Sequence, residues 1–200
     1  MTSKVENSIE IERPVSEVFS FVDDYQNTTR YIVGMVQYRP TTAQTSGKGA
    51  RFSMVKKTNG LPDIKSVVEI VDWEQNRTIG FRSISGFENS GSYKFTVSGD
   101  GTTVRLVNAF DITTLLGGGG GFLGGLKKAA LGATASIAEG QARRDLTTSL
   151  DHLKRLVEST PRKTGKAPAE RPAARVATAQ SAKKSSANGR ATPGEKPTKK

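Results

Sequence analysis

The sequence predicts an α+β fold: one curved antiparallel sheet of about seven strands wrapped around a single long C-terminal helix, with a basic tail beyond it. Three observations carry this reading. Strand-like patterns recur between residues 35 and 113 across short, turn-forming connections. Two short helical stretches interrupt the chain between its first strand and that run. An apolar repeat at helical spacing closes the folded part.

Residues 4–12 alternate, with Val5, Ile9 and Ile11 on one side and Glu6, Ser8, Glu10 and Glu12 on the other, as in a half-buried strand. Pro14 then suits the first position of a helix, whose apolar stripe is Val15, Val18, Phe19 and Val22. A break at 23–27 precedes a second short helix at 28–33, ended by Gly34. Strands are expected at 35–42, 49–57, 64–74, 77–85, 90–98 and 102–113. The links SGK, NGLPD, EQN, GFEN and GDG are short enough to make consecutive strands hairpins. Ile137, Ala138, Ala142, Leu146, Leu150, Leu153 and Val157 then form the stripe of a long amphipathic helix, with Asp145, Asp151, Lys154 and Arg155 on its other faces. A sheet that twists strongly curls around such a helix, and space left between the two becomes an internal cavity.

Composition divides the chain at residue 158. All 13 aromatic residues lie at or before Phe122, and beyond residue 158 the only large apolar side chain is Val176. Such a segment cannot offset the entropy of ordering itself, so 1–158 is read as the folded domain and 159–200 as a disordered tail. The tail holds 11 basic residues, Arg162, Lys163, Lys166, Arg171, Arg175, Lys183, Lys184, Arg190, Lys196, Lys199 and Lys200, against two acids. It therefore carries +9 of the chain's net +11. A tail of this kind attracts polyanions, either nucleic acid or an anionic membrane, without sequence preference and in a salt-sensitive way. It has no aromatic side chain for base stacking.

The absence of cysteine excludes disulfides, a thiol nucleophile and thiolate metal sites. No apolar leader opens the sequence, and the longest uncharged run, residues 112–126, is short and rich in glycine, so a cytoplasmic protein is expected, peripheral at a membrane or nucleoid if the tail finds a partner there. No serine sits in a nucleophile elbow and no His/Asp/Glu set has metal spacing, so no catalytic residue and no cofactor is assigned. His152, the sole histidine, reads as a helix-packing or solvated residue. Gly119, Gly121 and Gly124 match G-x-G-x-x-G, but no strand is expected after the next helix, so the match reads as an accident of a glycine-rich run.

The segments IEIERPVSEVFSFVDDYQNTTRYIVGMVQ (9–37), GKGARFSM (47–54) and YKFTVSGDGTTVRL (93–106), with the final Leu-rich helix, resemble the helix-grip superfamily called SRPBCC. It includes START lipid-transfer domains, birch-pollen-allergen-like proteins and bacterial polyketide cyclase/dehydrase-like proteins. The likeness covers about residues 4–158. It implies a helix-grip fold and a hydrophobic small molecule, lipid, quinone or polyketide-like, held between sheet and helix. It also implies that the loop before the last helix borders the cavity mouth, which makes Leu116, Phe122 and Leu123 portal candidates.

The last strand places Val104, Leu106, Asn108, Phe110 and Ile112 on one side, and Arg105 and Asp111 on the other. With Phe52, Met54, Phe81, Tyr93 and Phe95 from other strands, Leu106, Asn108 and Phe110 are the cavity candidates. Asn108 is polar on an apolar side and needs a partner: a neighbouring side chain, a water or a ligand. The alternative to carriage is a polyketide cyclase/dehydrase-like activity, for which Asn108, Tyr93 and Tyr38 are the available polar groups. A third alternative is a macromolecule-binding protein that acts through its tail.

Overall fold

The computed structural model describes residues 2–58, 63–111 and 128–161, with side chains in the last span from residue 136 onward. The chain runs β1 (Thr2–Ile11), α1 (Val15–Asp23), one 3-10 turn (Tyr25–Asn27), α2 (Thr28–Tyr31), β2 (Met35–Pro40), β3 (Arg51–Lys56), β4 (Ile64–Glu74), β5 (Thr78–Gly86), β6 (Asn89–Ser98), β7 (Gly101–Asp111) and α3 (Lys128–Ser159). All strand pairs are antiparallel, in the order β1-β7-β6-β5-β4-β3-β2. The expected meander is thus present, and β1 closes it by pairing with β7. Register irregularities between Val67 and Val68 and between Ile70 and Asp72 break the β4–β5 ladder, the kind of feature that bends a strand and curls the sheet.

Local chemistry explains the turns. Pro14 is extended (φ −56, ψ 146), and its carbonyl accepts from Glu17 N at 2.9 Å and Val18 N at 3.2 Å. It therefore caps α1 from outside rather than opening it as the first helical residue. Asp24 ends α1, and its carboxylate accepts from Gln26 N at 3.0 Å to start the 3-10 turn. Gly34 has φ +75, and a Cβ there would lie 2.3 Å from the Lys57 carbonyl, so only glycine passes this crossing into β2.

The core fills the concave side of the sheet. Leu146, Leu150, Leu153 and Val157 of α3 are buried there with Val5, Ile11, Val104 and Leu106. Phe19 of α1 meets Phe95 at 5.2 Å and Trp73 at 5.5 Å, both edge-on.

The helix departs from its expected pattern in three ways. It begins at Lys128, well before the apolar repeat. Ile137 is 70% exposed while Ala138 is buried, because the inner stripe runs 138, 142, 146, 150, 153, 157 and residue 137 lies about 100° around the helix from it. Asp145, expected on an outer face, is buried, since it stands three residues after Ala142 and four before Ser149.

The far end of α3 is tied to β1. The Arg13 guanidinium donates to the carbonyl oxygens of Glu158 and Thr160, and Lys154 Nζ donates to the Glu10 carbonyl at 2.7 Å. The Arg13 bonds cap carbonyls at the C-terminal end of the helix, which have no partner inside it, and the Lys154 bond ties the helix to a strand carbonyl. The Arg13 bond to Thr160 engages a residue beyond position 158. Residues 162–200, with all the basic residues of the tail, lie outside the described residues, as do Ile112, Leu116, Phe122 and Leu123.

Candidate ligand-binding site

A cavity of about 160 Å³ lies between the concave face of the sheet and the helices. Its apolar wall includes Phe52 and Met54 of β3, Ile70 of β4, Phe81 of β5, Leu106 of β7 and Leu146 of α3. Strand alternation puts the sheet residues there: Phe52 and Met54 are two apart, as are Leu106 and Asn108. Six of the eight residues expected from the sequence, Phe52, Met54, Phe81, Tyr93, Leu106 and Asn108, therefore meet in one wall. Phe95 and Phe110 share the concave face but not that wall. Phe95 is buried against Phe19, and Phe110 packs at 6.3 Å against Phe87.

The polar lining is denser than sequence patterns suggested. Tyr31, Tyr38 and Tyr93 all face the cavity, and the Tyr31 hydroxyl donates to that of Tyr93 at 3.3 Å. Tyr38 also stacks on Phe52 at 4.7 Å. Asn89 joins Asn108 in the lining, and the carboxamide oxygen of each is buried without a partner. Lys56 Nζ reaches Asp145 Oδ2 at 2.9 Å across the gap between β3 and α3, and Gln141 Nε2 donates to Asp145 Oδ1 at 2.6 Å. Ser149 Oγ donates to the Asp145 carbonyl at 2.6 Å and accepts from Val33 N at 3.0 Å, which ties α3 to the segment after α2.

Tyr31, Asn89, Lys56 and Asp145 were not anticipated. A signal existed for Lys56, which continues the inward set of Phe52 and Met54, and for Asn89, which continues that of Tyr93. Both look like ordinary exposed strand residues until the partner strands are known. The Asp23 carboxylate accepts from Trp73 Nε1 at 2.9 Å and Ser46 Oγ at 2.6 Å, tying the β2–β3 loop, whose Thr45 and Ser46 line the cavity, to α1. Trp73 is thereby fixed to α1. His152 is half-buried and is not a wall residue.

A family described as polyketide cyclase / dehydrase and lipid transport matches residues 2–158. The chain belongs to this family. The helix-grip reading made from the sequence therefore stands.

Solved structures agree on the fold of this family member. A Streptomyces aromatase/cyclase superposes with a TM-score of 0.64 at 16% identity, over 82% of this chain and 99% of that one. A Thermus thermophilus protein gives 0.63 at 18% identity, over 78% and 97%. A START superfamily protein of Mycobacterium smegmatis gives 0.58 at 11% identity, over 78% and 97%. No curated protein matches the sequence.

The electrostatics of this member's cavity favour neutral chemistry. Burial pushes the Tyr31 hydroxyl well above its ordinary pKa, and the neighbouring Tyr93 adds to the effect. Burial likewise raises Tyr38, and it pushes Tyr93 up to about 12. All three phenols are therefore protonated at neutral pH, and act as hydrogen-bond donors rather than bases. Among the described residues no group of three or more His, Cys, Asp or Glu side chains could hold a metal. No helix among them is long and apolar enough to cross a membrane.

Proposed function

We propose that this protein binds and carries an apolar small molecule in the sheet–helix cavity. The observation that supports this most is the wall itself: aromatic and aliphatic side chains from β3, β4, β5 and β7 enclose a space into which a few polar groups point. Such a site gains affinity from burying apolar surface and orientation from the polar groups. The volume is close to the roughly 150 Å³ of an engineered apolar cavity that takes up benzene. Native mass spectrometry of the full-length protein, followed by solvent extraction, tests the reading. A small molecule retained in the native complex and released on unfolding is expected. A protein that retains nothing and takes up no apolar compound from solution would overturn it.

A second reading, a cyclase-like activity, is favoured by the Tyr31–Tyr93 hydroxyl pair. With Tyr31 donating to Tyr93, the Tyr93 proton is available to a ligand oxygen, and could stabilise charge developing on a carbonyl. The two carboxylates among the described wall residues are both engaged: Asp145 is paired with Lys56, and Asp23 is held by Trp73 and Ser46. Carriage is therefore the preferred reading.

For the tail, we propose association with a polyanion through its +9 charge. Full-length protein should bind DNA or anionic vesicles at low salt, and raising salt from about 50 to 200 mM should weaken DNA binding about 1000-fold if half a dozen phosphates are engaged. Binding that survives removal of residues 163–200 would place recognition on the folded domain instead.

A further inference from the structure

The orphaned carboxamides carry an inference that rests on the ligand-binding reading and narrows it. Asn89 lies opposite Phe110 across the β6–β7 ladder, and Asn108 lies opposite Gly91. The two asparagines are therefore diagonal neighbours on one face, roughly 7 Å apart. Gly91 between them carries no side chain, and a Cβ there would fall 2.4 Å from the Val107 carbonyl and 2.6 Å from the Phe81 ring. The Phe81 ring thus lies over bare backbone between the two amides.

A buried acceptor without a donor is expensive, and native cores almost always supply one. Ser83 Oγ shows what a satisfied group looks like in this neighbourhood: it bonds both the carbonyl and the amide N–H of Asn89. Yet the Asn89 and Asn108 side-chain oxygens, both in cavity-lining residues, have nothing. Charge adds a second constraint. The charged wall residues among those described are Asp23, Lys56 and Asp145, and the one cation is neutralised by Asp145. Such a wall offers no free counter-charge to a carboxylate or sulfate.

We propose that Asn89 and Asn108 form an acceptor pair that selects a neutral ligand bearing a hydrogen-bond donor, a hydroxyl above all, over hydrocarbons, ethers and anions. Both oxygens are buried in the unliganded geometry, so each amide would turn about its terminal bond to meet a ligand O–H, which supplies the missing donor. The tyrosine hydroxyls alone would give a different selectivity, because as donors they would receive an ether oxygen as readily as a hydroxyl.

A matched set of one-ring compounds tests this by calorimetric titration of the full-length protein: toluene, para-cresol, para-methylanisole and para-toluate. Cresol should bind about 3- to 10-fold more tightly than toluene and methylanisole, with toluate weakest, as expected for one net hydrogen bond. In Asn108→Leu and Asn89→Leu the cresol advantage should fall by a similar factor while toluene affinity holds or rises. Cresol binding no more tightly than toluene, methylanisole equal to cresol, or an advantage that survives both substitutions would overturn the acceptor pair while leaving a ligand-binding cavity in place. Uptake of none of the four would overturn the cavity reading and the pair together. The comparison within the unmodified protein decides the matter even if a leucine variant fails to fold.

Discussion

Removing the charge of Asp145 should loosen the joint between sheet and helix. Its carboxylate meets Lys56 Nζ at 2.9 Å, with side-chain exposures of 11% for Asp145 and 20% for Lys56. Opposite charges about 4 Å apart attract by roughly 4 kcal/mol at an effective dielectric of about 20, and partial desolvation of both groups cancels much of that. A fully buried pair broken on one side costs about 3–5 kcal/mol, and an exposed pair about 0–1. The intermediate burial here puts Asp145→Asn at about 1–3 kcal/mol. Lys56→Met should cost a similar amount, because it leaves the Asp145 carboxylate with Gln141 as its remaining side-chain partner. Urea unfolding of both single variants and the double variant measures the coupling. The double variant should lose less than the sum of the singles by at least about 1 kcal/mol. Additivity within about 0.5 kcal/mol would mean that the pair does not join β3 to α3 energetically, and would refute the reasoning.

Two further outcomes are expected. Phe110→Ala should cost roughly 3–5 kcal/mol by opening a cavity against Phe87, yet leave ligand affinity unchanged, because Phe110 is not part of the cavity wall; a binding defect larger than the stability loss explains would contradict that placement. The tyrosines should make the protein alkali-sensitive. Tyr93 is raised from 10.0 to about 12, and Tyr31 and Tyr38 also rise. A raised acid contributes its stability in full below the unfolded value and loses it as pH climbs through the folded one, so about 2–3 kcal/mol from Tyr93 should disappear between roughly pH 10 and 12. Thermal melts across that range and tyrosinate absorbance check this, and ionisation of all the cavity phenols near pH 10 in the folded state would refute it.

The order and type of the elements were readable from the chain alone, because each rests on a local signal. Alternation in residues 4–12 and 64–74, the turn residues between strands, and the four- and three-residue spacing of Ala142, Leu146, Leu150, Leu153 and Val157 all report which side of an element is apolar. Because inward-facing strand residues repeat every second position, most of the cavity wall, from Phe52 to Asn108, was legible as well. The sequence could not tell wall from packed core: Phe95 and Phe110 obey the same alternation as Tyr93 and Asn108, and only the positions of Phe19 and Phe87 decide that they are filled in. The polar half of the site was hidden for a related reason. Lys56, Asp145 and Asn89 are residue types that usually face water, and what turns them inward is the pairing of β3 with α3 and of β6 with β7, contacts between residues far apart in the chain. Tertiary structure alone brings Lys56 to Asp145, sets the Tyr31 hydroxyl beside Tyr93, and leaves two carboxamide oxygens without a donor, because burial and partnership belong to the assembled surfaces and not to any one segment.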